Sequence, residues 1–191
     1  MNTQLLFFIL GGVIFLLLTV IFALIKTIKI LRRKSLTDHL TQLPNRRYFD
    51  QELKRLFSHS QRFQESLNLI TMDLDFFKKY NDTKGHPAGD RLLQKFARLL
   101  KNHIRQSDFT ARTGGEEFII ICPHTDMNGA KLLAERIRLD TQKELGGITV
   151  SLGLACFPKD AKEEKELIEK SDQALYKAKE KRNCVVVYGE N

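Results

Sequence analysis

Leu5 to Ile25 runs for 21 residues without a charged side chain. A helix rises about 1.5 Å per residue, so the run measures about 31 Å, close to the roughly 30 Å of a bilayer's hydrocarbon core. Thr19 and the Gly11-Gly12 pair are its only soft spots, and both residue types are tolerated in membrane helices. A soluble helix would carry a polar face, and this run has none. A cleaved signal peptide would start with basic residues, be shorter and end on small residues. Residues 1–4 hold no basic side chain, and nothing after Ile25 resembles an Ala-x-Ala exit. The expectation is a retained transmembrane helix over residues 1–25.

Lys26, Lys29, Arg32, Arg33 and Lys34 follow at once. Basic residues stay on the cytoplasmic side, so residues 26–36 read as a juxtamembrane stalk and the rest of the chain as cytoplasmic. Only four residues then lie outside, too few for a ligand-binding domain. The whole chain carries +8, and removing these five charges leaves +3. The basicity is therefore a topology signal that also favours anionic membrane lipid. It argues for no nucleic-acid partner.

Residues 37–191 are enough for one domain with a real core. Cys122, Cys156 and Cys184 are odd in number, widely spaced and form no CxxC pair, which fits a reducing compartment and no zinc site. The five histidines are scattered, with no metal-ligand spacing among them. Asn45 is a candidate cap for a helix to about Phe57, and Asp126 for a helix carrying Ala130, Leu133, Ala134 and Ile137. Leu67–Asp73 reads as a buried strand, Phe76–Asn81 as a helical turn, and Gly85-His86-Pro87 as a break before a helix to about His103. Thr149–Ala155 alternates as a strand. Lys165–Lys181 is helical with a break near Ser171-Asp172, and Cys184–Tyr188 is a last strand. Strands interleaved with helices point to an α/β (α+β) domain, a mixed sheet flanked by helices.

Three constellations carry chemistry. Gly114-Gly115-Glu116-Glu117-Phe118 joins two strand-like runs, Asp108–Arg112 and Phe118–Cys122, as a β-hairpin. Its glycines let a bulky ligand approach the backbone; alone, the stretch would be an ordinary acidic turn. Asp73 and Asp75 sit where a buried strand ends. Carboxylates there can hold Mg²⁺, which takes hard oxygen ligands and keeps water for phosphate oxygens; they would equally serve to end the strand and cap the next turn. Asn81 and Asp90 flank the glycine-rich break. A carboxylate accepts from the N1–H and N2–H₂ edge of guanine and an amide donates to O6 or N7, so the pair favours guanine over adenine. The same residues are common as turn and cap residues.

These residues resemble GGDEF-domain diguanylate cyclases, with Gly-Gly-Glu-Glu-Phe as the variant of the defining motif. Five motifs stand in the family's order between Ser35 and about Tyr188: Asp38–Arg47, Asp73–Asp82, Gly85–Asp90, Arg112–Phe118 and Ser171–Lys179. The resemblance implies a nucleotidyl-cyclase-like sheet and condensation of two GTP into cyclic di-GMP, with one GTP per domain and a homodimer needed for turnover. It implies Mg²⁺, with Mn²⁺ as a substitute, held by Asp73, the Leu74 carbonyl and Glu116, with Glu117 assisting. Glu116 would also help deprotonate the attacking 3′-hydroxyl. Asn81 and Asp90 would read guanine, with His86 near the nucleotide. Phe76, Phe77, Lys78, Gly114, Gly115, Lys179 and Arg182 would surround the triphosphate. Taken with the membrane topology, it places the domain on the cytoplasmic side of a bacterial inner membrane.

Arg105 and Asp108 match the family's RxxD inhibitory site, and Arg136 falls where a second arginine is expected, implying an allosteric cyclic di-GMP site. A surface salt bridge between Arg105 and Asp108 is the alternative. One departure stands out. The family's AKxxGRN ending is here Ala178-Lys179-Glu180-Lys181-Arg182-Asn183, one residue short and without the glycine. Arg182 reaches a phosphate only if the backbone adjusts, with Lys181 as the substitute. The leading reading is an active diguanylate cyclase. The alternative is a catalytically silent domain that binds GTP or cyclic di-GMP and signals by contact. A cyclase making a single-nucleotide product fits the guanine pair and the hairpin less well.

Overall fold

The computed structural model describes the backbone of residues 3–34 and 36–190, and side chains for 11–27 and 36–190. The chain divides into two units, residues 1–37 and 38–191. The first is one helix, α1 (Thr3–Lys34). Its described side chains are all exposed. Those positions, 11–27, are shorter than a bilayer requires, and among the described residues no helix is long and apolar enough to cross a membrane. The side chains of the early apolar run and of most of the stalk lie outside the described residues.

The second unit is a five-stranded mixed sheet flanked by helices. In chain order it runs α2 (Arg46–Phe63), β1 (Leu67–Leu74), α3 (Phe77–Lys84), α4 (His86–His103), β2 (Phe109–Arg112), β3 (Glu117–Pro123), α5 (Met127–Glu144), β4 (Val150–Phe157), α6 (Glu164–Lys181) and β5 (Val185–Val187). The spatial order is β2-β3-β1-β4-β5. β1 is central and antiparallel to both β3 and β4, while β5 pairs parallel with β4.

Side chains alternate across a strand, and β1 shows both outcomes. Ile70, Met72 and Leu74 pack with α4 and α5 residues such as Leu93, Phe96 and Ile137. Leu67 and Leu69 pack with Phe49, Leu53 and Phe57 of α2 and Leu167 of α6. Asp73, in the odd register, therefore faces the α2/α6 side.

Local sequence sets the boundaries. Asn45 Oδ1 accepts the Tyr48 N–H (3.2 Å), and α2 runs on to Phe63, where Gln64 turns left-handed. Asp126 Oδ1 accepts from the Gly129 N–H (2.7 Å) to start α5. The expected break at Gly85–Pro87 is one residue: Gly85 at φ +81 separates α3 from α4, and Pro87 sits in α4's first turn.

Two expectations are corrected. β4 is buried at all eight positions rather than on one face, because α6 covers the Ser151, Gly153, Ala155 side. α6 runs unbroken from Glu164 to Lys181 through Ser171-Asp172. Ser171 is buried there, and its carbonyl accepts the Thr71 hydroxyl (3.0 Å), tying α6 to β1. Gly153 allows that approach, since a Cβ would collide with the backbone of Ser171 and Leu175.

Asp75, just past β1, fastens three segments. Its carboxylate accepts from Thr149 Oγ1 (2.7 Å), Ser151 Oγ (2.8 Å) and the Asn183 N–H (3.0 Å), with Lys179 Nζ at 3.1 Å. Burial alone would raise its pKa, but these donors together hold the carboxyl below its ordinary value.

Gly153→Ala is expected to cost about 1–3 kcal/mol, the price of overpacking against backbone, read as a lower denaturant midpoint at unchanged slope. Asp75→Asn tests the carboxylate. A lowered folded pKa means stability that is fully present above the unfolded pKa and lost as pH falls through the folded one. The substitution should lower stability by about 1.5–3 kcal/mol at neutral pH, and the gap from the parent chain should narrow on acidification below the normal aspartate range.

Candidate active site at the Gly114–Phe118 hairpin

β2 and β3 pair from Phe109↔Ile121 to Arg112↔Phe118, so residues 113–116 form the tip as the glycines imply. Arg112 braces it. Its guanidinium donates to the Gly114 carbonyl (3.2 Å), to the Gly115 carbonyl (2.8 Å from Nη2) and to Asp38 Oδ1 (2.9 Å). Asp38 also accepts the Thr41 N–H and hydroxyl. Burial opposes ionisation of Asp38, but the bonds from Thr41 and Arg112 prevail and lower its pKa. The entry motif Asp38–Asn45 thus serves as a buttress for the hairpin.

The metal candidates meet at the same sheet end. Asp73 stands opposite Glu117 on β3, and the Leu74 N–H donates to the Glu116 carbonyl (3.3 Å). Burial raises the Asp73 carboxyl's pKa. Lys179 opposes that shift, and the charges of Glu116 and Glu117 add to it. Lys179 Nζ sits among oxygens: it pairs with the Asp73 carboxylate and lies 3.1 Å from Asp75 Oδ1, 3.2 Å from the Asp73 carbonyl and 3.5 Å from the Leu74 carbonyl. A cation is thus already held at the place where the sequence expects one, by oxygen donors only. That donor set fits Mg²⁺. Lys179 is placed on a metal-ligand candidate, whereas the resemblance gave it a phosphate.

The three residues grouped around the triphosphate separate. Phe76 is 55% exposed and left-handed (φ +56); Phe77 is 7% exposed and belongs to the core; Lys78 is exposed. The side chain of Phe77 is therefore unavailable to a phosphate. α3 starts at Phe77 without a side-chain cap, at the kind of helix start where backbone N–H groups can meet an anion. Arg182 reaches this side: its guanidinium lies 4.1 Å from the Phe76 ring centroid. It does so by taking φ +59, ψ 167, with Asn183 at φ +45. The backbone adjusts at the place where the family's glycine is missing.

Asn81 on α3 lies against Gly89 on α4, where a Cβ would overlap its Oδ1. That oxygen is buried and has no partner among the described residues. Asp90 is the next residue, exposed, and His86 opens the same helix. The glycine-rich break thus brings the guanine pair onto adjoining helices.

The inhibitory-site candidates also converge. Arg105, Asp108 and Arg136 line one cavity of about 220 Å³. Asp108 accepts the Arg105 backbone N–H (2.8 Å), and among the described residues the alternative salt bridge between the two side chains does not form. Arg136 donates to the His103 carbonyl (2.9 Å).

Sequence reasoning missed residues with structural signals. Asp75, which the sequence marks as a strand end, pins three segments. A second cavity of about 350 Å³ opens on the α2/α6 side of the Asp73–Glu117 pair, with Arg46 and Asp172 in its wall and Asn81 and Asp90 outside it. Burial raises the Asp172 carboxyl's pKa, opposed by Arg46 and reinforced by Glu117. Both residues lie within quoted motifs, which was the available signal.

The family model "Diguanylate cyclase, GGDEF domain" matches residues 35–184. Diguanylate cyclase DgcS of Shewanella oneidensis is 40% identical over 156 residues, covering 79% of this chain and 52% of its own. Response regulator PleD of Caulobacter vibrioides is 36% identical over 162 residues, 80% of this chain and 36% of its own. The chain thus spans about a third to a half of these curated relatives. Among solved structures, the coiled coil and GGDEF domain of DgcB from Caulobacter crescentus, in complex with c-di-GMP, superposes with a TM-score of 0.84 at 31% identity, covering 88% of this chain and 94% of that one. The active GGEEF domain of a diguanylate cyclase from Vibrio cholerae gives 0.74 at 34% identity, 78% of this chain and all of that one. A match of this length on a shared fold makes the chain a member of the GGDEF family of diguanylate cyclase domains.

Proposed function

We propose that the chain is a diguanylate cyclase, joining two GTP into cyclic di-GMP with release of two pyrophosphates. The observation that carries this is the oxygen cluster at the end of β1, where Asp73, the Leu74 carbonyl and Glu116–Glu117 meet beside the braced hairpin. Mg²⁺, or Mn²⁺ in its place, would be held by Asp73, the Leu74 carbonyl and Glu116, with Glu117 assisting. Bound there, the ion would offset charge on the transferring phosphoryl group.

The chain's own groups do the remainder. Asn81 and Asp90 select guanine through its donor and acceptor edge. The N–H groups at the start of α3, Lys78 and Arg182 face the phosphates, with Gly115 leaving room for them and Gly114 facing the Glu117 carboxylate. Glu116 takes the proton of the 3′-hydroxyl as its oxygen bonds to the α-phosphorus of the facing GTP and pyrophosphate departs. Catalysis of this kind is positioning plus electrostatics. Each domain supplies one GTP, so turnover requires a homodimer with two sites face to face. Arg105 and Arg136 would grip a phosphate or stack on guanine of the product, giving feedback inhibition.

A membrane anchor belongs to the same proposal. The uncharged run Leu5–Ile25, its basic flank and the wholly exposed apolar side chains described in α1 support it. It would hold the domain at the inner face of a bacterial membrane and raise the local concentration of its partner.

One observation favours a catalytically silent binding domain: Lys179 already neutralises Asp73, and Arg182 occupies a strained backbone in place of a glycine. Assay of the purified full chain with GTP and Mg²⁺ separates the two. The cyclase yields cyclic di-GMP and pyrophosphate, and Glu116→Gln lowers turnover by about 10²–10⁴-fold, the range for a lost general base, with melting unchanged. GTP binding without product supports the silent domain. Arg105→Ala should keep turnover and lose inhibition by added cyclic di-GMP; unchanged inhibition would remove the feedback role.

A further inference from the structure

His59, Glu65 and His124 lie far apart in sequence, yet their ligand atoms all fall within 4.8 Å of one another. The scattered histidines do hide a metal-ligand set, which linear spacing could not reveal. The cluster sits at the end of the sheet opposite to Asp73. Glu65 precedes β1, and His124 follows β3.

Backbone geometry builds this cluster. His59 lies on the last turns of α2. The helix closes with Gln64 left-handed (φ +55) and the Glu65 N–H bonded to the Ser60 carbonyl (3.0 Å), which fixes Glu65 just past the helix end. His124 is itself left-handed (φ +52), with its N–H bonded to the Ser66 carbonyl (3.0 Å). A non-glycine residue in that region is uncommon and points to a local requirement. Phe63 supports the His59 ring, with centroids 4.6 Å apart.

Glu65 Oε2 is 3.4 Å from His59 Nδ1 and 3.1 Å from His124 Nδ1. An ion-pair triad would have each ring N–H directed at that oxygen. Yet Oε2 is buried and accepts no hydrogen bond from either ring. The rings approach it without aiming at it. Ligands about 2.0–2.1 Å from a shared tetrahedral ion lie about 3.3–3.4 Å apart, and both measured separations are near that edge length. A buried, unpaired carboxylate oxygen is costly, and a cation between the three groups would satisfy it. The three side chains are 39–52% exposed, so an ion can enter from solvent.

We infer that His59, Glu65 and His124 form a site for a zinc-class divalent ion, separate from the oxygen-only site at Asp73. Two imidazoles and one carboxylate suit Zn²⁺ and its borderline neighbours, and disfavour Mg²⁺. Three protein ligands leave further positions for water or an incoming group. The ion would tie the end of α2 to the turn between β3 and α5.

The test uses the tag-free full chain, stripped with chelator and kept in excess Mg²⁺ so that oxygen-only sites are filled. Calorimetric titration with Zn²⁺ should show one ion bound per chain, and added Zn²⁺ should raise the melting temperature. Co²⁺ in its place should give the visible spectrum of nitrogen and oxygen ligation without a thiolate charge-transfer band, excluding the cysteines. His59→Ala preserves the helix, and His124→Asn preserves a residue that tolerates the left-handed backbone. Each should weaken zinc binding tenfold or more. No zinc uptake by the parent chain, a smaller loss in either variant, or a thiolate band overturns the inference.

Discussion

Negative charge concentrated at the end of β1 is the constraint on which the domain depends. Asp73 and Asp75 stand two residues apart, and Glu116 and Glu117 face them from the hairpin. Such a cluster repels itself unless a cation enters it. Lys179 supplies that cation from the last turn of α6, touching Asp73 and Asp75 together. α6 can place it only because it runs unbroken and lies against Gly153. The close packing of α6 on β4 and the charge balance of the site are thus one arrangement. The two aspartates divide the work. Asp75 is satisfied by fixed donors that hold its carboxyl below the ordinary value; Asp73 is pushed the other way by burial and its acidic neighbours. One carboxylate pins three segments, and among the described residues the other is balanced by Lys179 alone.

The hairpin solves a related problem with a single guanidinium. Two glycines at a tip leave the backbone free to wander, and floppy ligands make poor sites. Arg112 gathers the Gly114 and Gly115 carbonyls and anchors them to Asp38, 74 residues away in sequence. Lysine could not reproduce this, since only a planar fork donates in several directions at once. Gly115 faces open space, Gly114 faces the Glu117 carboxylate, and Arg112 holds the carbonyls of both.

Much of this was legible in the sequence. The caps at Asn45 and Asp126, the buried run of β1 and the glycine hairpin are local signals, and each appears as expected. The misreadings share a cause, which is that they turn on tertiary contact. Ser171-Asp172 looked like a helix break because Ser and Asp favour ends; burial of Ser171 against β1 overrides that preference. β4 looked one-sided because Ser151 and Gly153 are not hydrophobic; they are small because a helix backbone passes over them. Phe76 and Phe77 are neighbours with opposite fates, one exposed and one in the core, decided by where α3 begins. His59 and His124 carried no signal at all, because 65 residues separate them in the chain.

The missing glycine after α6 joins these threads. The φ +59, ψ 167 backbone of Arg182 is a region that glycine occupies freely and other residues enter at a cost of order 1–3 kcal/mol. Two contacts offset that cost. The Asn183 N–H reaches Asp75, and the Arg182 guanidinium stacks on Phe76. The first secures the chain as it enters β5; the second carries positive charge to the open start of α3. Phe76 is also left-handed, so two strained residues from distant segments hold each other in place at the candidate phosphate face. Strain paired in this way is kept by the surrounding fold and not by local preference. It keeps the Arg182 guanidinium stacked on Phe76 at the N-cap of α3.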